Sequence, residues 1–249
     1  LKTLTETHAP SGHEAPIREV LRFEWADLVD TMEMDKLGSL IGVKRATQPV
    51  DPPRKIMLAA HMDEIGMMVR KVQDGFIFVH RISGVDNRIL PAQPVLVHGR
   101  RALPGIVSTV PPHLLGGAQN RYLSFDELVI DVGLPAAEVE ELVRIGDLIT
   151  PDAPMIELQG SRLAGEAMDD RACVAAVTAC LVELQSLHHR WDVYAAATVQ
   201  EETGLLGAAT AAYHIKPDIA IALDVGFAPQ PGVDADVTRE MNGGPALGI

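Results

Sequence analysis

The sequence predicts an α/β fold in which a mostly parallel sheet carries helices on both faces and is interrupted by a small, β-rich, barrel-like domain. The apolar runs KIMLAA (55–60) and DIAIALDV (218–225) lack polar alternation, which is typical of strands buried on both faces. Between them, residues 66–163 contain short Val- and Ile-rich runs broken by Gly and Pro, which indicates a compact β domain. We therefore predict a catalytic α/β domain over 1–65 and 164–249, with the β-rich domain inserted at 66–163.

The elements of the α/β part can be justified in chain order. Apolar residues at helical spacing predict a helix over 14–30, and Ser11 and Glu14 have the spacing of a capping box at its start. Residues 32–45 predict a hairpin of two short strands. The remaining predicted elements are a helix over 169–187, a strand over 191–199 and a helix over 203–212.

Composition and charge exclude several classes of function. The chain has 249 residues, 47% of them hydrophobic, and a formal net charge of −13, which argues against nucleic-acid binding and against an anionic membrane surface. No signal peptide opens the sequence and no apolar run reaches the ~18 residues of a membrane-spanning helix. Cys173 and Cys180 are interpreted as buried free thiols. We therefore expect a cytoplasmic protein.

Acidic residues and one histidine follow the predicted buried strands or begin a predicted helix. They are His61 and Asp63 after KIMLAA, Glu201 and Glu202 after VYAAATVQ, Asp224 after DIAIAL, and Asp169 at the start of the 169–187 helix. In open α/β sheets, functional groups collect at strand carboxyl ends and helix N-termini. Imidazole and carboxylate groups are ligands for divalent cations, so the set predicts a hydrolytic site with two metal ions.

The spacing within this set suggests how the roles divide. Glu201 and Glu202 are adjacent, so one can ligate a metal while the other faces substrate as a general base. Asp63, two residues after His61, can accept the second ring N–H and hold the imidazole tautomer. Each of these polar residues also has a purely structural interpretation, as part of a polar turn, a helix cap or a solvated helix start. Their joint occurrence favours the metal site.

Six stretches of the chain resemble the dinuclear metallo-aminopeptidases of the glutamyl and deblocking type, a family that includes the self-compartmentalising tetrahedral (TET) aminopeptidases. These stretches are AAHMDEIGMMV (59–69), PGIVSTVPPHLL (104–115), ELVIDVGLPAAEVEELVRIGDLIT (127–150), EAMDDRACVAAV (166–177), VQEETGLLGA (199–208) and IALDVG (221–226). The resemblance implies peptide substrates, two divalent ions that are zinc or cobalt, and a dimerisation role for the β-rich domain. It also implies a homo-oligomer in which dimers build a dodecamer.

The resemblance further implies a role for each matched site residue. His61 would bind one metal with Asp63 assisting, Asp169 would bridge both metals, Glu202 would ligate beside His61, Asp224 would bind the second metal, and Glu201 would be the general base. Members of the family carry a further His ligand near the C-terminus, and no His follows His214 here. We therefore expect the C-terminal part of the catalytic domain to be missing from this sequence. Cys173 and Glu166 stand where Gly and Lys are commoner in the family.

Two other functions remain open at this stage. One is a metal amidohydrolase of the same fold that acts on small acylated amino acids. The other is a non-catalytic homologue whose metal site is incomplete. This alternative is based on the absence of a His after His214.

Overall fold

The structure is a computed structural model, and it describes residues 1–111 and 123–246. Residues 112–115 of the PGIVSTVPPHLL stretch lie outside the described residues. The helices are α1 (Lys2–Thr5), α2 (Ala15–Trp25), α3 (Ala136–Leu142), α4 (Met168–Glu183), α5 (Glu201–Gly204) and α6 (Leu206–Ile215). The strands are β1 (Thr31–Met34), β2 (Leu40–Lys44), β3 (Lys55–His61), β4 (Gly66–Gln73), β5 (Phe76–Ile82), β6 (Pro94–His98), β7 (Ala102–Ser108), β8 (Val129–Asp131), β9 (Leu148–Pro151), β10 (Ile156–Leu158), β11 (Arg162–Ala164), β12 (Asp192–Thr198) and β13 (Ile219–Ala222).

A five-stranded mixed sheet forms the centre of the α/β part, in the order β1-β2-β12-β3-β13. Strand β3 pairs in parallel with both β12 and β13, whereas the predicted β1–β2 hairpin joins β12 antiparallel. The apolar run of β3 has no alternation because this strand lies between two neighbours with side chains covered on both faces. The α/β prediction is confirmed, with the parallel strands confined to one half of the sheet. Every residue of the edge strand β13 is exposed, so the prediction that this strand is buried on both faces is wrong.

Helices cover both faces of this sheet, as predicted. On one face, α2 and α4 contribute Ile17, Trp25 and Leu181 to a cluster that includes Ala195 and Ala197 of β12. The Trp25 indole donates a hydrogen bond from Nε1 to Thr178 Oγ1 at 2.9 Å, which satisfies its polar atom inside the core. On the other face, α6 packs against β2 and β3. Small alanines along β12 let the helices approach closely, which explains the low aromatic content.

The predicted capping box of α2 is wrong. The helix begins at Ala15 and no side chain caps it. Instead, Glu14 Oε1 accepts hydrogen bonds from the backbone N–H groups of Gly12 at 2.7 Å and Gln200 at 3.1 Å. Ser11 Oγ lies 3.1 Å from Thr203 Oγ1. Ser11 and Glu14 therefore contact residues nearly 200 positions away in the chain instead of capping the helix.

The inserted β domain is a closed antiparallel barrel in the order β4-β5-β8-β7-β6-β9. Its interior is filled by fully buried aliphatic side chains, including Ile77, Val97, Ile130 and Ile149. The barrel-like prediction is confirmed, and the barrel strands run from Gly66 to Pro151. The boundaries 66–163 stay a prediction. Within the described ranges, every helix is too short or too polar to cross a bilayer.

Gly207 packs against the backbone that leaves β12, and it should not tolerate a side chain. Its N–H donates to the Val199 oxygen at 3.0 Å, and a Cβ at this position would overlap the backbone nitrogen and oxygen of Val199. Backbone cannot move aside as a flexible side chain can, so Gly207→Ala should cost at least ~2 kcal/mol of unfolding free energy.

Urea denaturation of the two proteins measures this loss. Gly226→Ala is the matched control, because a Cβ there meets nothing within 4 Å. Equal unfolding midpoints for the two alanine variants would contradict the described packing of α6.

Candidate functional site

Three parallel strands end at one edge of the sheet and bring the polar residues together. In the parallel register, Thr198 of β12 lies beside His61 of β3, so Glu201 and Glu202 follow just beyond that edge. On the other side of β3, Ala222 pairs with Ala59, so Asp224 follows at the level of His61. Helix α4 begins at the same edge with Asp169 and Asp170. Every predicted site residue therefore lies at the carboxyl ends of these strands.

The His61 ring is at the centre of this group and is only 3% exposed. Its Nε2 lies 3.0 Å from Asp169 Oδ1 and 3.7 Å from Glu201 Oε2. Its Nδ1 lies 3.2 Å from the backbone oxygen of Asp63 and 3.5 Å from Asp63 Oδ1. One imidazole thus faces carboxylates from three separate segments, and both ring nitrogens have acceptors.

Asp63 holds the two glutamates in place as well as facing His61. Its side chain is fully buried, and Oδ1 and Oδ2 accept hydrogen bonds from the backbone N–H groups of Glu201 and Glu202, each at 3.1 Å. These bonds and the His61 ring outweigh the effect of burial and lower the Asp63 pKa. The carboxylate of Asp63 therefore stays ionised and links the end of β3 to the start of α5.

Two sets of side-chain atoms are close enough together to hold a metal ion. One is formed by His61, Asp170 and Asp224, and the other by His61, Glu201 and Glu202; within each set the ligand atoms lie within 4.8 Å of one another. Asp170 Oδ1 is buried and has no hydrogen-bond partner among the described residues. An imidazole nitrogen and several carboxylate oxygens, one of them buried without a hydrogen-bond donor, fit a divalent cation.

The charges of these groups explain why a cation suits the site. Burial first, and then the negative charges of Asp169 and Glu201, raise the pKa of Glu202 to about 7. Burial and the charge of Asp224 likewise raise the pKa of Asp170 to about 7. Burial lowers the pKa of His61, but Asp169, Asp63 and Asp170 outweigh it and raise that pKa to about 11. The site therefore has more carboxylates than one imidazolium can neutralise.

Some residues around the site were not identified from the sequence. Asp170 lies inside the helix predicted over 169–187 and has no predicted role, yet it is fully buried and its Oδ2 accepts the backbone N–H of His61 at 3.3 Å. Ser11 and Glu14, the residues of the predicted capping box, instead contact Thr203 and Gln200 on either side of Glu201 and Glu202. A pair of adjacent Asp residues was the one signal that pointed to Asp170. Asp169 contacts His61 but belongs to neither set of potential ligands.

Comparisons with known proteins show which family the chain is similar to. The model of the M42 glutamyl aminopeptidase family matches residues 38–249. The chain is 34% identical to the lysyl aminopeptidase of Pyrococcus furiosus over 258 aligned positions, covering 100% of this chain and 72% of that protein. Among solved structures, an aminopeptidase from the archaeon Desulfurococcus kamchatkensis is similar with a TM-score of 0.86 and 38% identity, covering 94% of this chain and 64% of that one.

A second similar structure is the Pyrococcus horikoshii TET1 peptidase, which can assemble into a tetrahedron or a large octahedral shell. It shares 31% identity and a TM-score of 0.80, covering 95% of this chain and 71% of that one. The chain thus spans about two thirds to three quarters of the length of these relatives.

Replacing Asp63 by Asn should destabilise the protein, because an amide has one acceptor oxygen where the carboxylate has two. One of the N–H groups of Glu201 and Glu202 then loses its partner next to the fully buried side chain. We expect a loss of about 1–3 kcal/mol in unfolding free energy, measured by urea denaturation. The exposed Asp27→Asn substitution is the control. A variant as stable as this control would contradict the linking role of Asp63.

The raised pKa values predict a pH-dependent response to divalent cations. In metal-free protein, the pKa values of Glu202 and Asp170 are about 7, above their ordinary values of 4.5 and 3.8. Both side chains therefore bind protons more tightly in the folded than in the unfolded protein. Their stabilising contribution is therefore complete below pH ~4 and is lost as the pH rises through about 7. A cation replaces those protons, so it should stabilise the protein more at pH 8 than at pH 5.

Thermal unfolding of EDTA-treated protein, with and without zinc, measures this response. The same zinc concentration, one hundred times the dissociation constant at pH 8, is used at both pH values. The unfolding midpoint at pH 8 should then rise by about 5–10 °C. Glu202→Gln should reduce the rise, whereas the exposed Glu183→Gln should not. Equal shifts at both pH values would contradict the prediction.

Proposed function

The chain belongs to the M42 glutamyl aminopeptidase family, and from this premise we propose that it is a metal-dependent aminopeptidase that removes N-terminal residues from peptides. The observation that supports the proposal most directly is the convergence on His61. Carboxylates from α4, α5 and the segment after β13 reach one imidazole at the end of β3. Their chemistry is that of a hydrolytic site rather than of a structural ion pair, because the acids outnumber the cation.

The residues that would hold two divalent ions are His61, Asp169, Glu202 and Asp224. Asp169 would complete the site through its contact with His61, and Asp170 belongs to the set of potential ligands formed with His61 and Asp224. Zinc and cobalt both suit imidazole and carboxylate donors. Ions bound there would supply a Lewis acid that polarises the scissile carbonyl.

Glu201 is proposed as the general base. Its side chain is partly exposed, so water and substrate can reach it, while its Oε2 stays 3.7 Å from His61 Nε2. Burial, and the charges of Asp224, Asp63 and Asp169, raise the pKa of Glu201 against the opposing effect of His61. A raised carboxyl pKa improves a base that works near neutral pH. Glu201 would take a proton from the attacking water and return it to the leaving amine.

Asp63 is proposed as a positioning residue for this chemistry. It holds the backbone at Glu201 and Glu202 through both of its carboxyl oxygens, and it faces His61 Nδ1. One buried carboxylate thereby sets the orientation of the general base, a proposed ligand and the imidazole. This role is broader than the assistance to His61 that the sequence predicted.

We also propose that the protein is a homo-oligomer in which the barrel domain mediates dimerisation and dimers build a dodecamer. The assembly of the TET1 relative supports this proposal. Exposed apolar side chains on the barrel, such as Phe76 and Ile106, are candidates for the contact.

The function predicts different consequences for the two adjacent glutamates. Glu201→Gln should lower kcat by about a hundredfold or more while leaving the metal content unchanged, because it removes the base but not a proposed ligand. Glu202→Gln should lower metal affinity. Hydrolysis of aminoacyl p-nitroanilides by the protein that contains this chain, together with elemental analysis, measures both, and Glu183→Gln is the control.

Chelation by EDTA should abolish the hydrolysis, and activity that survives it would refute metal dependence. Preference for acylated over free N-terminal amino groups would instead support the amidohydrolase alternative. Metal-free protein with no activity towards either type would support a non-catalytic homologue.

A further inference from the structure

A cavity of about 640 Å³ lies between the barrel and the α/β part and adjoins the candidate site. Its walls are largely apolar and include Leu90 and Val95 from the barrel and Pro154 and Ile156 from the connection that follows it. Asp169 lines the cavity and also contacts His61 Nε2 at 3.0 Å. The cavity is therefore continuous with the place where the scissile carbonyl would lie.

Two acidic residues, Glu64 and Glu166, also line this cavity. Glu64 is engaged: its Oε1 accepts the backbone N–H of Ala9 and lies 3.4 Å from Arg171 Nη2. The Glu166 side chain is 5% exposed, and its Oε1 is 3.9 Å from His8 Nδ1. Glu166 Oε2 is buried without a hydrogen-bond partner in the described part of the chain.

Among the described residues, the only basic side chain within ion-pair distance of Glu166 is that of His8, which is a cation only when its imidazole is protonated. The Arg171 guanidinium instead lies 3.4 Å from Glu64 and donates hydrogen bonds to the backbone oxygens of Met62, Leu4, Thr7 and Ala9. Burial, and then the negative charge of Glu64, raise the pKa of Glu166 to about 8, although the Ala153 N–H and Arg171 act in the opposite direction. A buried acid of this kind is stabilised by any cation that can reach it.

The position of Glu166 suits a cation carried on a substrate side chain. Glu166 and Asp169 are three residues apart, so their Cα atoms are separated by at most about 11 Å. A substrate residue with its carbonyl near Asp169 can extend a four-carbon stem along the apolar walls towards Glu166. Such a ligand needs an aliphatic body and a positively charged end.

We propose that this cavity, here named the Glu166 cavity, binds the first side chain of the peptide substrate and selects lysine or arginine through the Glu166 carboxylate. The inference rests on the proposed aminopeptidase function and adds its substrate class. The apolar walls bind the stem, and the Glu166 carboxylate accepts a hydrogen bond from the ammonium or guanidinium group.

Lysyl and norleucyl p-nitroanilides test the proposal, because norleucine has the stem of lysine without the ammonium group. For the metal-loaded protein that contains this chain, kcat/KM should favour lysine by at least ~10-fold, the usual size of one charge-assisted hydrogen bond. Glu166→Gln is nearly isosteric and should lower the lysine-to-norleucine ratio by about tenfold. Both substrates are measured on the same preparation, so an inactive fraction cancels in the ratio.

Glu138→Gln, on the exposed surface of α3, removes the same charge outside the cavity and should leave the ratio unchanged. A ratio near one in the unsubstituted protein, or the same ratio in Glu166→Gln, would overturn the proposal while leaving the aminopeptidase function standing.

If neither substrate is hydrolysed, the proposed aminopeptidase function fails. The lysine selectivity of the Glu166 cavity is then tested by ligand binding. Calorimetry with lysinamide and norleucinamide then compares the two side chains directly. Tighter binding of lysinamide that is lost in Glu166→Gln supports the cavity, and equal binding overturns it.

Discussion

The candidate site depends on one buried carboxylate. Asp63 follows β3 directly, and its two oxygens accept the backbone N–H groups that begin α5 after β12. These hydrogen bonds extend the parallel pairing of β3 and β12 beyond the last paired residues, Thr198 and His61. Because one side chain fixes the end of both strands, the His61 ring and the two glutamates keep a common orientation.

The same edge of the sheet concentrates negative charge that the chain does not neutralise. His61 is the single cationic group among Asp169, Asp170, Glu201, Glu202 and Asp224. Burial, and then the neighbouring negative charges, raise the pKa values of Glu202 and Asp170 to about 7. Folding brings these acids together at a cost, since like charges in a partly buried site repel. A site that divalent cations would stabilise is the physical consequence of this arrangement.

Insertion of the barrel after β3 places a cavity beside the candidate site. Because the barrel begins at Gly66 and the chain returns to α4 at Met168, the barrel wall lies beside the candidate site. The Glu166 cavity forms at this junction, and Arg171 ties the junction to the N-terminal segment through backbone oxygens of Leu4 and Met62. Arg171 also forms an ion pair with Glu64, which follows β3.

The sequence alone determined the class of fold and most of the polar residues that meet at one edge of the sheet. Unbroken apolar runs identified β3 and β13, turn-rich Val and Ile segments identified the barrel, and the polar residues after each strand identified His61, Asp63, Glu201, Glu202 and Asp224. These are local patterns, readable because burial of a strand or helix constrains neighbouring residues. Tertiary structure alone decided that Ser11 and Glu14 bond Thr203 and Gln200 instead of capping α2, that Asp170 faces His61, and that Glu166 lies close enough to Glu64 to feel its charge. Each of those outcomes depends on contacts between residues about 100 or more positions apart, where hydrogen bonding and charge override local preference.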